Sequence, residues 1–501
     1  MWSDLPKNQR DRYKKLITNF ASLSEAFTQK MKEEDVVNPI ISSKFQEKAF
    51  QTCFKANAED ISNTSFDSSI DLNNREYLIG IKTFRINSRT QKVAQFKSMI
   101  NNWGELSSKL SSNADGLSSK EDIDKVNHSL YEDFAEKIAF VRNERIESSK
   151  SNLRGFKVND HQTESVYHVL MSSYKDENPS ISIGETTYEK IDIHKIKILG
   201  CTDKNHPQNF KFTDGKHKYQ YNSADSQLLM DFNNKKIILE TWPINYVKDA
   251  VSFFERIDSI APTIATVPNE SHSWFINVKP FSGFNLFYGQ SKYARKNNAR
   301  EKWIDNFNDG FSDKVDKEDL TKIDDYLASI LLTNWQSDTD KETMAEEREE
   351  LMKYIVKLDN KELTECIRGI VYRPVNELEI RIPNSTRFHK RYPNFFIDQG
   401  YNPESSIEDR TFKLKFIPSG DVVDAYIGES EGKAFKTLKT EKILGKWVLR
   451  DVFQLKEYER LTQEKLNELG INGLRLTKKD GVIELEFIWI DSDNPPEDLW
   501  K

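Results

Sequence analysis

From about residue 370 onward, apolar and polar residues alternate with period two, and this feature constrains the fold most. The segment NELEIRIP sets Leu378, Ile380 and Ile382 against Glu377, Glu379 and Arg381. TFKLKFI sets Phe412, Leu414 and Phe416 against Lys413 and Lys415, and GVIELEFIWI continues the pattern near the end. Successive side chains on a strand point to opposite faces, so these runs predict half-buried strands. They make residues 366–501 a mostly-β module, with one helix around Thr462–Leu469 stopped by Gly470.

The first part of the chain reads differently. Residues 10–35 and the segment SSKFQEKAFQTCFKA carry apolar residues at helical spacing, with Phe45, Ala49 and Phe54 near one face of the second. Two strand-like pieces follow, NTSFDSSIDL and EYLIGIKTF, separated by Asn73-Asn74, which is turn chemistry. Val93, Phe96, Met99 and Ile100 then predict a helix over SRTQKVAQFKSMINNW. Residues 104–125 are rich in Ser, Asn, Asp and Gly and are expected to be a mobile connection, with a helix near 126–147. FKFTDGKHKYQY predicts a hairpin turning at Asp214-Gly215. Residues 313–360 are charged and helical. The expected division is 1–310 for an α/β unit with helical additions, 311–365 for a helical connector and 366–501 for the β module. The expected class is mixed α+β.

Composition narrows the function. The net charge of −7 argues against coating nucleic acid by bulk charge. It leaves room for an enzyme whose basic groups sit in one cleft. No apolar run approaches the length of a membrane span, and the polar start carries no signal-peptide core. Cys53, Cys201 and Cys366 fit no metal or disulfide spacing, so a cytoplasmic setting is expected. None of the eight histidines has a Lys two positions later, which disfavours a phospholipase-D-type nuclease. No zinc spacing and no Walker loop is present.

Chemistry concentrates between residues 47 and 95. Metal-assisted phosphodiester cleavage needs an acidic ligand, an attacking water and a cation that orients the water or offsets developing charge. Asp67 enters one strand, and Lys82 leaves the next among Leu78, Ile79 and Ile81. An unpaired ammonium in such an apolar strand is costly, which marks Lys82. Glu47 on the preceding helix is a supporting acid.

Glu47, Asp67 and the GIK at 80–82 resemble the PD-(D/E)XK nuclease core of type II restriction endonucleases. Two positions depart from that pattern: Gly80 stands where an acid is usual, and Phe66 where a Pro precedes the Asp. Some members take the second acid from the following helix, a place held here by Gln95. The resemblance implies Mg²⁺ held by Asp67, the Ile81 carbonyl and Gln95, with Lys82 activating water. It also implies double-stranded DNA as substrate, a 5′ phosphate product, a homodimer and a separate protecting DNA methyltransferase. A modification-dependent or repair nuclease, and a DNA-binding protein with a decayed centre, stand as alternatives.

Residues 370–501 resemble the C-terminal region of NgoFVII-like restriction endonucleases. That region is similar to the DNA-binding pseudobarrel of plant B-three transcription factors and EcoRII-type enzymes. The likeness rests on RPVNELEIRIP, FHKRYPNFF, GKAFKTL, LGKWVLRDVF and LTQEKLNELGINGLRL. It implies one DNA-gripping arm carrying Arg381, Arg387, His389, Lys390 and Arg391, and a second carrying Lys446 and Arg450. A further basic stretch, SKYARKNNAREK, offers Arg295, Lys296 and Arg300 to DNA.

Overall fold

The structure, a computed structural model, describes residues 1–28, 36–58, 66–72, 75–96, 103–156, 162–247, 249, 269–288, 299–333, 337–428, 430–439 and 441–501. It is a mixed α+β chain built on three sheets.

The first sheet has the order β1-β2-β3-β5-β6-β11. Its strands are β1 (Asn57–Ala58), β2 (Ser68–Leu72), β3 (Arg75–Arg85), β5 (Gln162–Ser172), β6 (Ser180–Thr187) and β11 (Ile238–Pro243). β2 and β3 form the expected antiparallel pair, while β3 and β5 run parallel over their full length. A parallel pair needs a long crossover. Two helices supply it: α3 (Trp103–Asn113) and α4 (Lys120–Arg154).

Strand alternation gives this sheet two apolar faces. Ile79, Ile81 and Leu170 pack with the buried side chains of α1 (Lys7–Ser22) and α2 (Ser43–Phe54). Leu78, Tyr167 and Val169 pack toward α4 with Tyr131, Phe134 and Ile138. Ser42 caps α2, its Oγ accepting from the Phe45 amide, and Ser119 caps α4 by accepting from the Asp122 amide.

The second sheet, β4-β10-β9-β8-β7, is antiparallel. It comprises β4 (Thr90–Gln95), β7 (Lys197–Cys201), β8 (Phe210–Thr213), β9 (Lys218–Asn222) and β10 (Gln227–Asp231). The hairpin at Asp214-Gly215 forms as expected, with Gly215 at φ 86° and the Asp214 carboxylate accepting from the Lys216 and His217 amides. Two expectations fail here. Residues 90–95 are a strand rather than a helix, because Thr90, Gln91, Lys92, Ala94 and Gln95 pair with β10, far away in sequence. Much of 104–125 is helix rather than loop, because Trp103, Leu106 and Leu110 recur at helical spacing and bury against α4.

The third sheet has seven strands in the order β12-β17-β18-β14-β15-β16-β13. These are β12 (Ser271–Phe275), β13 (Ile380–Arg381), β14 (Thr411–Ile417), β15 (Val422–Gly428), β16 (Ala434–Thr437), β17 (Gly473–Lys479) and β18 (Val482–Ile488). β14 and β18 are parallel and every other neighbouring pair is antiparallel. The expected start at 366 is too late, since β12 pairs with β17 and Trp274, Ile276 and Phe284 join this core.

The helical block runs through α5 (Ala299–Phe311), α6 (Lys317–Leu332), α7 (Asp338–Lys357) and α8 (Lys361–Val371). It has its own core and lies in the chain between β12 and β13. Shorter helices α9 (Ser385–Arg391), α10 (Glu441–Lys446) and α11 (Gln463–Leu469) accompany the third sheet. Among the described residues no helix is long and apolar enough to cross a membrane.

Candidate active site and nucleic-acid interface

β2 and β3 pair up to Ser68 and Ile79, and Asp67 adds one backbone bond, donating to the Ile79 carbonyl at 2.9 Å. Beyond that point the Asp67 side chain replaces the neighbouring strand. Its Oδ2 accepts from the Ile81 amide at 2.6 Å and lies 3.6 Å from Lys82 Nζ. Both side chains are about one-third exposed, at 34% and 31%. The N–H and C=O of one strand residue leave on the same side, so the Ile81 carbonyl faces the same parted edge. Asp67, Ile81 and Lys82 therefore meet as the sequence predicts.

Glu47 sits beside Gln46 on α2. The Gln46 Oε1 accepts from the Thr83 hydroxyl, one residue past Lys82. Glu47 is thus carried to the same end of β3, but its carboxylate is engaged by Lys44 at 2.9 Å, within its own helix. Alternation puts Thr83 on the α2 face of β3 and Lys82 on the other.

Gln95 is not brought to this centre. It ends β4 in the second sheet, where its Oε1 accepts from Lys92 Nζ at 3.2 Å and its carbonyl from Arg145 Nη1 at 2.7 Å. Residues 90–95 of the expected helix are a strand, and Met99 and Ile100 lie outside the described residues.

Gly80, two residues before Lys82, faces the ring of Tyr167. A Cβ there would lie 2.7 Å from Tyr167 Cδ1 and 2.8 Å from Cε1. Tyr167 is buried and stacks on Tyr188 with ring centres 4.0 Å apart. The space for an acid at position 80 is filled by an aromatic pair. Tyr167 gave no sequence signal, since an aromatic in a strand is most simply core. Among the described residues no group of three or more His, Cys, Asp or Glu is placed to hold a metal ion.

Asp67 and Ile81 still fit one cation of restricted demands. Mg²⁺ is commonly held by one or two carboxylates and completes its shell with water and substrate phosphate. Asp67 Oδ2 makes both contacts above, and among the described residues Oδ1 has no protein partner.

The basic residues of the third sheet divide into exposed and structural ones. Arg381 donates from Nε to Glu379 at 2.8 Å and from Nη2 to the Phe281 carbonyl at 3.2 Å. Glu379 is 1% exposed and is shared with Lys436, also at 2.8 Å. Arg387 lies over the Trp500 ring at 5.3 Å, Arg391 over Tyr392 at 5.4 Å, and Lys390 and Lys446 are exposed.

Two of the expected DNA contacts are structural instead. His389 is buried, its Nε2 donating to the Gly432 carbonyl at 3.0 Å and its ring stacked on Tyr401. Burial holds its pKa below the ordinary histidine value, despite the Gly432 bond. Arg450 donates to the carbonyls of Val375 (2.7 Å), Leu455 (3.3 Å) and Lys456, so its guanidinium serves as a loop clip. Burial also lowers its pKa.

Arg300 donates to the Leu331 carbonyl at 2.9 Å, tying α5 to the end of α6. Residues 299–371 carry 19 Asp and Glu against 11 Lys and Arg, so this block repels a phosphate backbone. Arg295 and Lys296 lie outside the described residues.

A residue the sequence did not single out joins the two halves. Arg145 on α4 donates to the carbonyls of Glu468 and Asn467 on α11 and of Gln95 on β4. Burial pushes its pKa down to about 10. Trp447 adds an indole bond to the Ser151 carbonyl at 2.7 Å. The third sheet is thereby anchored on the helix that crosses over the first sheet.

No family model matches the chain, and no curated protein matches it.

Proposed function

We propose that the chain is a Mg²⁺-dependent, sequence-specific endonuclease of double-stranded DNA, of the type II restriction kind. The observation that carries this reading is the meeting of Asp67, the Ile81 peptide and Lys82 where β2 parts from β3. The layering agrees with a PD-(D/E)XK-like core: α2 covers one face of the first sheet and α4, the crossover between parallel β3 and β5, covers the other. The seven-stranded third sheet agrees with a B-three-like recognition module, with Arg381, Arg387, Lys390, Arg391 and Lys446 as its candidate DNA contacts.

In this reading Asp67 and the Ile81 carbonyl hold the cation. Held there, a cation would supply polarisation of the scissile phosphate and a more nucleophilic water. Lys82, steered by Asp67, hydrogen-bonds the attacking water and offsets charge that develops on the phosphate. Glu47 supports the same end of β3. The bond to the 3′ oxygen breaks, leaving a 5′ phosphate. Cutting both strands needs two centres, so a homodimer is part of the proposal. A companion methyltransferase would protect host DNA.

One observation favours a second reading. Tyr167 over Gly80 removes the usual second acid, which suits a DNA-binding protein whose centre has decayed. Digestion of a plasmid of known sequence, with and without Mg²⁺, with fragment ends sequenced, separates the two. Discrete fragments with 5′ phosphates support the endonuclease. Retained plasmid binding with no cutting in Mg²⁺ or Mn²⁺ supports the decayed centre.

A further inference from the structure

β12 and β13, the two outer strands of the third sheet, face a single cleft of about 650 Å³. β12 lends it Trp274 and Phe275. β13 lends it Arg381, the turn into α9 Asn384 and α9 itself Arg387, and Lys433 also lines it. One end of the seam is strapped by residues 498–500. The Ser273 amide donates to the Asp498 carbonyl at 2.9 Å, and the Trp500 amide to the Ser273 carbonyl at 2.7 Å. The Trp500 indole then reaches across to the Pro383 carbonyl at 2.6 Å.

We propose that this seam pocket admits one nucleotide of bound DNA, swung out of the helical stack. The inference rests on the reading that the third sheet binds DNA, and adds to it a site that takes a single residue rather than a groove edge.

Size is the first reason. Small-ligand pockets span roughly 300–1,000 Å³. A duplex cannot enter a void of this volume, but one nucleotide can. The lining is the second reason. Trp274 and Phe284 give the cleft a buried apolar wall against which the flat face of a base can pack. Asn384 carries both a donor and an acceptor for a base edge.

Charge is the third reason. Arg381, Arg387 and Lys433 face one lining acid, Glu431, which lies 3.4 Å from Lys433. Glu379 behind them is a single carboxylate shared by Arg381 and Lys436. The positive excess suits a phosphate. Arg381 is already oriented by two bonds, so little ordering remains to be done on binding. Extruding a base costs its stacking and pairing, which packing on the apolar wall and phosphate contacts must offset.

The test uses the full chain and the four deoxynucleoside 5′-monophosphates, by ligand-observed NMR titration sensitive to millimolar affinities. The expected result is saturable binding of one nucleotide per chain, displaced only weakly by inorganic phosphate. Thr386→Trp, at an exposed lining position, should weaken binding about tenfold and Lys433→Ala severalfold, each with an unchanged thermal midpoint. Absence of saturable binding overturns the inference. So does displacement by phosphate as strong as by nucleotide, since the pocket would then hold a backbone phosphate only. A parallel gel shift with duplex DNA separates the causes. Duplex binding without nucleotide binding sinks only the pocket, whereas loss of both sinks the DNA-binding reading beneath it.

Discussion

Gly80 lies against the ring of Tyr167 so closely that a Cβ at position 80 would stand 2.7 Å from Cδ1. The glycine is required by a neighbour on β5. Overpacking a filled interior costs about 1–3 kcal/mol. Gly80→Ala should therefore lower the denaturant midpoint by a corresponding amount, and Gly80→Glu by more. Gly80→Glu should not raise cleavage, because Tyr167 denies the carboxylate its place. Higher activity in Gly80→Glu alone would show that the ring yields easily.

Lys82 and Gln95 should part company on mutation. Lys82→Ala removes the only cation within reach of Asp67 among the described residues and should cut the cleavage rate by about a hundredfold or more. Gln95→Ala removes an amide that bonds Lys92 in another sheet, and single-turnover rates should stay within about twofold of wild type. Equal losses in the two variants would return Gln95 to the centre.

Arg145 should behave as a clamp. Arg145→Met leaves the carbonyls of Gln95, Asn467 and Glu468 without its donors, at about 1–3 kcal/mol for each acceptor left buried. Chemical denaturation should show a lower midpoint for the third sheet's tryptophan signal. A midpoint unchanged from wild type would mean that the lobes are joined by other contacts.

The buried histidines set an acid limit on stability. Burial lowers the pKa of His217, His272 and His389, so each is neutral in the fold and more readily protonated in the unfolded chain. Their contribution is fully present above the unfolded value of about 6.5 and is lost as pH falls through the lower folded values. The thermal midpoint should drop between pH 7.5 and pH 5.5. His389→Gln should lower the midpoint at pH 7.5 and flatten the slope, because the Nδ1 that would gain the proton is buried without an acceptor. A slope unaltered in this variant would assign the acid limit to other groups.

The centre was legible in the sequence where its cause was local. Asp67 directly precedes β2 while Ile81 and Lys82 lie on β3, the next strand in the chain, and a lysine among Leu78, Ile79 and Ile81 must find a partner. The alternating strands after residue 370 were legible for the same reason. What stayed hidden was non-local. Val93 and Phe96 carry helical spacing, yet β4 is a strand because β10 comes back to pair with it. Trp103, Leu106 and Leu110 sit in a stretch of loop-forming residues, yet burial against α4 makes them a helix. β12 joins the third sheet only because β17 returns to it, across the whole helical block. Arg450 and His389 looked like surface cations because sequence charge says nothing of burial.

If Asp67 holds the catalytic cation, its loss must separate cutting from binding. The direct measurement compares wild type with Asp67→Ala for plasmid cleavage in Mg²⁺ and for duplex binding without metal. Discrete cleavage by wild type, none by the variant and the same duplex affinity for both are the expected results. Mg²⁺-dependent cutting retained by Asp67→Ala would contradict it.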